Sequence, residues 1–251
     1  MIDKPEKLEE TKKPIALWAV PRSISTAFER YFVERGDFEV LHEPFGASYY
    51  YSEERLSERY ADEAKPENGY DKVLEEVFRP REKRVFLKDM AYHAKGLIDR
   101  DGEDFASRFV NTFIVRDPKY VITSMAKMWP DFTQEEAGYD GAYKLFRLSG
   151  SLGQEAVVVD AMSFTEDPSG VMERYCEKVG VEFEEGSLSW EPRKVRRWES
   201  WDGWHDAAEK STGIRPATRK DPVLSVELLE IYERCLPAYY KLAASAIPAS
   251  R

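Results

Sequence analysis

Three hydroxyl residues and an arginine crowd into the run Pro21-Arg22-Ser23-Ile24-Ser25-Thr26. The apolar stretch Ile15 to Val20 precedes it, and a segment with Ala27, Phe28, Tyr31 and Phe32 on one helical face follows. A strand that feeds a helix through such a loop presents unpaired N–H groups and the positive end of the helix dipole. Arg22 adds a fixed positive charge, and Ser23, Ser25 and Thr26 add hydroxyl donors. These residue types at this spacing suit an anion. A helix with a surface arginine is the plainer alternative, and Thr26 followed by Glu29 has the spacing of a capping box. The pattern G-x-x-x-x-G-K-[ST] is absent, so the loop is not a Walker A loop.

A second basic position agrees with the first. Arg116 ends the apolar run in "FIVRDPKYVITSM", Pro118 suits the first turn of a helix, and Ser124 lies eight residues after Arg116. Together the two segments resemble the sulfotransferases that use 3′-phosphoadenosine 5′-phosphosulfate (PAPS). That family places a strand and P-[KR]-S-x-[ST]-[ST] at the 5′-phosphosulfate, and an Arg with a Ser eight positions on at the 3′-phosphate. "VVVDAMSFTEDPSGVMERYCEKVGV" resembles the family's strand, D-P and helix segment, so the likeness runs from Ile15 to about Phe183.

The resemblance implies that Arg22 stabilises charge on the bridging oxygen, and that Ser23, Ile24, Ser25 and Thr26 hold the 5′-phosphate through hydroxyls and backbone N–H groups. It assigns Arg116 and Ser124 to the 3′-phosphate. For the family's late basic and glycine segment the nearest match is "KSTGIRPATRK", through Ser211, Thr212, Gly213 and Arg215, with a solvated basic loop as the alternative. Where cytosolic members carry an adenine-stacking aromatic, this chain has Ala27, which leaves Trp198, Trp201 and Trp204 as candidates to hold adenine or simply to pack.

Sulfuryl transfer to an alcohol requires a base for the acceptor proton. His42 and Glu43 follow the second apolar run and His93 follows the third, and all three stay open. His205, among the tryptophans, reads as outside the chemistry. Lys88 faces the acceptor or pairs with Asp89 or Glu43; Tyr49, Tyr50 and Trp129 line an acceptor pocket or form an aromatic edge. Such a pocket suits a small organic alcohol or phenol. PAPS carries an activated sulfuryl group, so no metal is expected, and no two of the three histidines have ligand spacing. Two other readings are a P-loop kinase using Mg-ATP, with Asp160 of "VVVDAM" near the metal, and a catalytically silent nucleotide-binding protein.

Strands at 15–20, 38–41, 85–87 and 112–115 and in "EAVVVDAMSF" alternate with helices at 25–34, 134–149, from Asp167-Pro168, and at 225–244 with a possible kink at Pro237. The alternation implies a three-layer α/β/α fold on a mainly parallel sheet, of the P-loop sulfotransferase-like kind. Ligands then bind beyond the carboxyl ends of the strands. A polar lead covers 1–14 and a single domain 15–251, with a helical insertion or acceptor lid at 46–82 and a tryptophan-rich basic cover segment at 190–220.

A net charge of −10 disfavours nucleic acid and anionic membrane as partners. The start of the chain has no apolar core of a signal peptide, and no apolar run is long enough to span a bilayer. Cys176 and Cys235 read as buried free thiols, which fits the cytoplasm. Oligomeric state is not legible.

Overall fold

The computed structural model describes residues 12–201, 204–216 and 221–248. The polar lead up to residue 11, residues 202–203, the basic stretch at 217–220 and the side chain of Trp201 lie outside the described residues. Five strands, β1 (Ile15–Ala19), β2 (Phe38–His42), β3 (Arg84–Met90), β4 (Val110–Val115) and β5 (Val157–Asp160), form one sheet in the order β2-β3-β1-β4-β5. Every pairing is parallel. The helices are α1 (Ser25–Arg35), α2 (Pro44–Tyr51), α3 (Tyr70–Phe78), α4 (Lys95–Ser107), α5 (Pro118–Met128), α6 (Tyr139–Ser151), α7 (Ala161–Glu166), α8 (Pro168–Val179), α9 (Asp206–Glu209) and α10 (Val226–Ala243).

Central β1 is apolar at every position because both of its faces are covered. Ile15, Leu17 and Ala19 meet Phe28 and Phe32 of α1 and Tyr175 of α8. Ala16 and Trp18 meet Phe105 of α4, Phe45 of α2 and Phe109. Two apolar layers on opposite faces make the α/β/α sandwich that the alternating pattern implies. Trp18 keeps its one polar atom satisfied in the core, Nε1 donating to Asn111 Oδ1 at 2.9 Å. Cys176 and Cys235 are free and buried, in the layers on either side of the sheet.

Several boundaries differ from the sequence reading. β3 runs on to Met90 and so takes in Lys88 and Asp89, charged residues that find partners at the strand end. Helix α6 starts at Tyr139, after Gly138 at φ 85°. Helix α10 continues through Pro237. The capping box at Thr26 and Glu29 does not form: Ile24, in left-handed conformation, precedes α1 with no side-chain cap, because Thr26 and Glu29 bond to histidines instead. No helix among the described residues is long and apolar enough to cross a membrane.

Candidate active site

Between β1 and β4, where the sheet order turns from one direction to the other, the strand ends open onto a cavity of about 510 Å³. It is lined by the β1–α1 loop, by Glu43 and Lys88, by Arg116 and Ser124, and by part of the stretch from Trp204 to Arg215. The non-glycine residues with positive φ among those described are Arg22 at 58°, Ile24 at 67° and Glu43 at 47°. All three lie on this cavity. Left-handed backbone at ordinary residues costs on the order of 1–3 kcal/mol each and concentrates where a loop is shaped for a ligand.

The two basic motifs meet here. Arg116 Nη1 donates to the Arg22 carbonyl at 3.1 Å, and Arg22 Nε donates to Ser124 Oγ at 3.0 Å. Arg22 also donates to the Trp204 carbonyl at 3.2 Å and lies over the Trp204 ring, 5.4 Å from its centroid. Burial and the Arg116 charge lower the pKa of Arg22, and burial lowers that of Arg116. The Nε of Arg116 is buried with no hydrogen-bond partner. Two partly desolvated guanidinium groups close enough to lower a pKa make a site that an anion would stabilise.

Beside them lies a cluster of acid–base groups. Lys88 Nζ donates to Glu43 Oε1 and is 4.0 Å from Glu29 Oε2. Burial pushes the Glu43 carboxyl up, but the charges of Lys88 and the neighbouring histidines outweigh it and leave its pKa at about 2. His42 Nδ1 is 2.7 Å from Glu29 Oε2, and His42 Nε2 is 3.1 Å from His205 Nε2. His205 Nδ1 is in turn 3.1 Å from Thr26 Oγ1. A separate dyad forms where His93 Nδ1 meets Asp89 Oδ1 at 2.7 Å, both side chains being fully buried. The Asp89 carboxylate also accepts from Phe45 N and Met90 N, while burial raises its pKa.

The profile of the sulfotransferase domain matches residues 13–246. The chain belongs to that sulfotransferase family. Two solved structures share its fold. The sulfotransferase domain of the Synechococcus PCC 7002 olefin synthase superposes with a TM-score of 0.50 at 18% identity, over 92% of this chain and 98% of that one. A sulfotransferase from Alicyclobacillus acidocaldarius gives 0.50 at 14% identity, over 92% and 95%. Similar curated proteins are the branched-chain-amino-acid aminotransferase-like proteins 2 and 1 of Arabidopsis thaliana, 26% identical over 232 residues and 24% over 227. The chain spans 40% of the length of each, so their name describes proteins of which it matches a part.

Arg22, Ile24, Ser25, Thr26, Arg116, Ser124, Ser211, Gly213 and Arg215 line the cavity together with Glu43, Lys88, His93 and Trp129. Five residues that the sequence offered for the site lie elsewhere. Ser23 turns inward, its hydroxyl donating to the Val20 carbonyl at 2.6 Å, because the left-handed residues on either side point it at the strand. Thr212 is not among the lining residues, and its carbonyl accepts from Trp190 N. Tyr49 and Tyr50 do not line this cavity; they wall in the His93 ring, with centroids at 5.6 and 5.3 Å, and bond to Glu135 and Glu136. Trp198 is buried against Arg30 and Glu29 and has no free face for adenine, whereas Trp204 lines the cavity and packs on Trp129 at 4.7 Å.

Two histidines distant in sequence meet at the cavity edge. His205, set outside the chemistry by its neighbours in sequence, sits in the cavity wall against His42, which itself is not a lining residue. Histidines 163 residues apart thus meet, and His42, Glu43 and His205 bring ligand-type atoms within 4.8 Å of one another. Lys88 bonded to Glu43, and Arg22 nearby, make that corner a poor one for a cation. Asp160, the residue that a kinase reading needs beside a metal, caps α7 by accepting from Ser163 N at 2.8 Å.

Proposed function

We propose that the sulfotransferase moves the sulfuryl group of PAPS to the hydroxyl of a small alcohol or phenol. The observation that carries this reading is the partly buried pair of arginines, Arg22 from the β1–α1 loop and Arg116 from the end of β4, which line one cavity and are joined where Arg116 donates to the Arg22 carbonyl. Their lowered pKa values and the partnerless Arg116 Nε fit a polyanionic nucleotide. When bound, PAPS supplies an activated sulfuryl group, so the chain has only to position, neutralise and deprotonate. Arg116 and Ser124 hold the 3′-phosphate; Ser25, Thr26 and the N–H groups at the start of α1 hold the 5′ side. Arg22 gives up Ser124 and the Trp204 carbonyl to meet the charge of the leaving phosphate.

His93 is the base in this reading. Asp89 fixes the proton on Nδ1, which leaves Nε2 of a ring in the cavity wall to take the acceptor proton. Glu43, with a pKa at about 2, is a weak base, and its place is to hold Lys88 toward the transferred group. Met90, Tyr92 and Trp129 form the apolar side on which an acceptor rests.

Calorimetric titration with 3′,5′-adenosine bisphosphate (PAP), 5′-AMP and Mg-ATP tests the donor. PAP is expected to bind at least ~10-fold more tightly than 5′-AMP, a preference of about 1.4 kcal/mol that Arg116→Ala removes. Preference for Mg-ATP would replace this reading with the kinase. With 4-nitrophenol as acceptor, His93→Gln is expected to lower PAPS turnover by ~10²-fold or more while PAP affinity holds.

A further inference from the structure

A chain of hydrogen bonds that the proposed mechanism leaves unused runs from the core into the phosphosulfate loop. Glu29, fully buried on α1, accepts from Trp198 Nε1 at 3.1 Å and faces His42 Nδ1 at 2.7 Å. The chain continues through the two facing Nε2 atoms of His42 and His205 to Thr26 Oγ1, each step 3.1 Å. Burial raises the Glu29 pKa, but His42, Lys88 and the Trp198 N–H more than offset it, so the carboxylate is ionised.

An ionised carboxylate only accepts, so His42 carries a proton on Nδ1. If both rings are neutral, His42 Nε2 is then a lone pair and His205 Nε2 must be the donor. His205 Nδ1 in turn accepts, and Thr26 spends its hydroxyl proton on His205. In that order Thr26 offers an incoming anion lone pairs alone. One added proton leaves the His42–Glu29 bond as it is and reverses the two bonds beyond it: His42 Nε2–H donates to His205, His205 Nδ1–H donates to Thr26, and the Thr26 hydroxyl is free to donate into the cavity.

We propose that His205 is a positioning residue for the phosphosulfate subsite, and that the Glu29–His42–His205–Thr26 chain couples anion binding at the loop to uptake of one proton. The proton comes from solvent and rests on His42, beside Glu29. His205 stays the neutral member, since burial and the Lys88 charge hold its pKa down at about 3. The charged groups facing the chain are Glu29 and Glu43, which favour the added proton, and Lys88, which opposes it. A bound anion adds negative charge on the favourable side, so binding and protonation reinforce each other.

The identity of the anion rests on the PAPS reading above. Titration of the wild-type protein with PAPS, in two buffers of different ionisation enthalpy, counts the protons taken up, and His205→Ala and Thr26→Val serve as comparison. The titration of the 3′-phosphate of PAPS is common to all three proteins and cancels in the differences. Wild type is expected to take up close to one proton more than either variant, and to lose up to about tenfold more affinity per pH unit as the pH rises. Thr26→Val keeps the histidine pair intact, so it carries the test if His205→Ala fails to fold. Equal proton counts and parallel pH curves, with PAPS still bound, would overturn the coupling and leave the PAPS reading standing. Absence of PAPS binding to wild type would overturn both.

Discussion

Lys88 and Glu43 form an ion pair whose side chains are 1% and 6% exposed. In such a setting, removing one partner strands the other charge in a dry environment. Glu43 titrates at about 2 when folded, against an ordinary 4.5, so the unfolded chain takes up its proton first. The stabilisation is therefore complete above about pH 4.5 and is lost as the pH falls toward 2. In Lys88→Met the largest opposing charge is gone, so burial pushes the Glu43 carboxyl back up and less of its stabilisation remains. Urea unfolding at pH 7 should show a loss of about 3–5 kcal/mol, partly restored by adding Glu43→Gln. Residues of this kind are only half legible in sequence. Arg22 and Arg116 announce themselves by position after apolar runs, whereas Glu29 has the spacing of a helix cap and its bonds to His42 and Trp198 come from elsewhere in the chain.

Helix α6 shows how an element far along the sequence shapes the loop at its start. Gly138, just before α6, has φ 85°, and a Cβ there would lie 2.9 Å from Pro21 Cδ. Gly138→Ala is expected to cost about 1–3 kcal/mol in chemical denaturation and to weaken PAP binding, because Pro21 must shift and Arg22 follows it. Strands β1, β4 and β5 were legible because buried parallel strands are continuous apolar runs. The end of β3 was not, since Lys88 and Asp89 look like a turn until Glu43 and His93 are placed opposite them. The cover segment was legible as tryptophan-rich but not in its effect, which is to carry Trp204 and His205 onto Arg22 and Thr26.

Across the whole molecule the net charge of −10 hides a basic cavity holding Arg22, Lys88, Arg116, Lys210 and Arg215. Because ligand binding draws on the folded state alone, PAP at 100-fold excess over its Kd should stabilise the protein by about 2.7 kcal/mol. For a chain of this size that raises Tm by about 5–11 °C, a shift that thermal unfolding reads directly and that Arg116→Ala, at the same PAP concentration, should cut to about half. The alternation of apolar runs with amphipathic segments was enough for the three-layer parallel fold, and the loop chemistry at Arg22 and Arg116 was enough to single out two loops that meet at one cavity, because both signals depend on neighbours within a few residues. Contacts between distant segments decided the rest. Thr26, Glu29, His42 and His205 become one hydrogen-bonded chain, and Tyr49 and Tyr50 turn from an acceptor wall into the cage of His93, because packing across the sheet ends sets which polar atoms must satisfy one another.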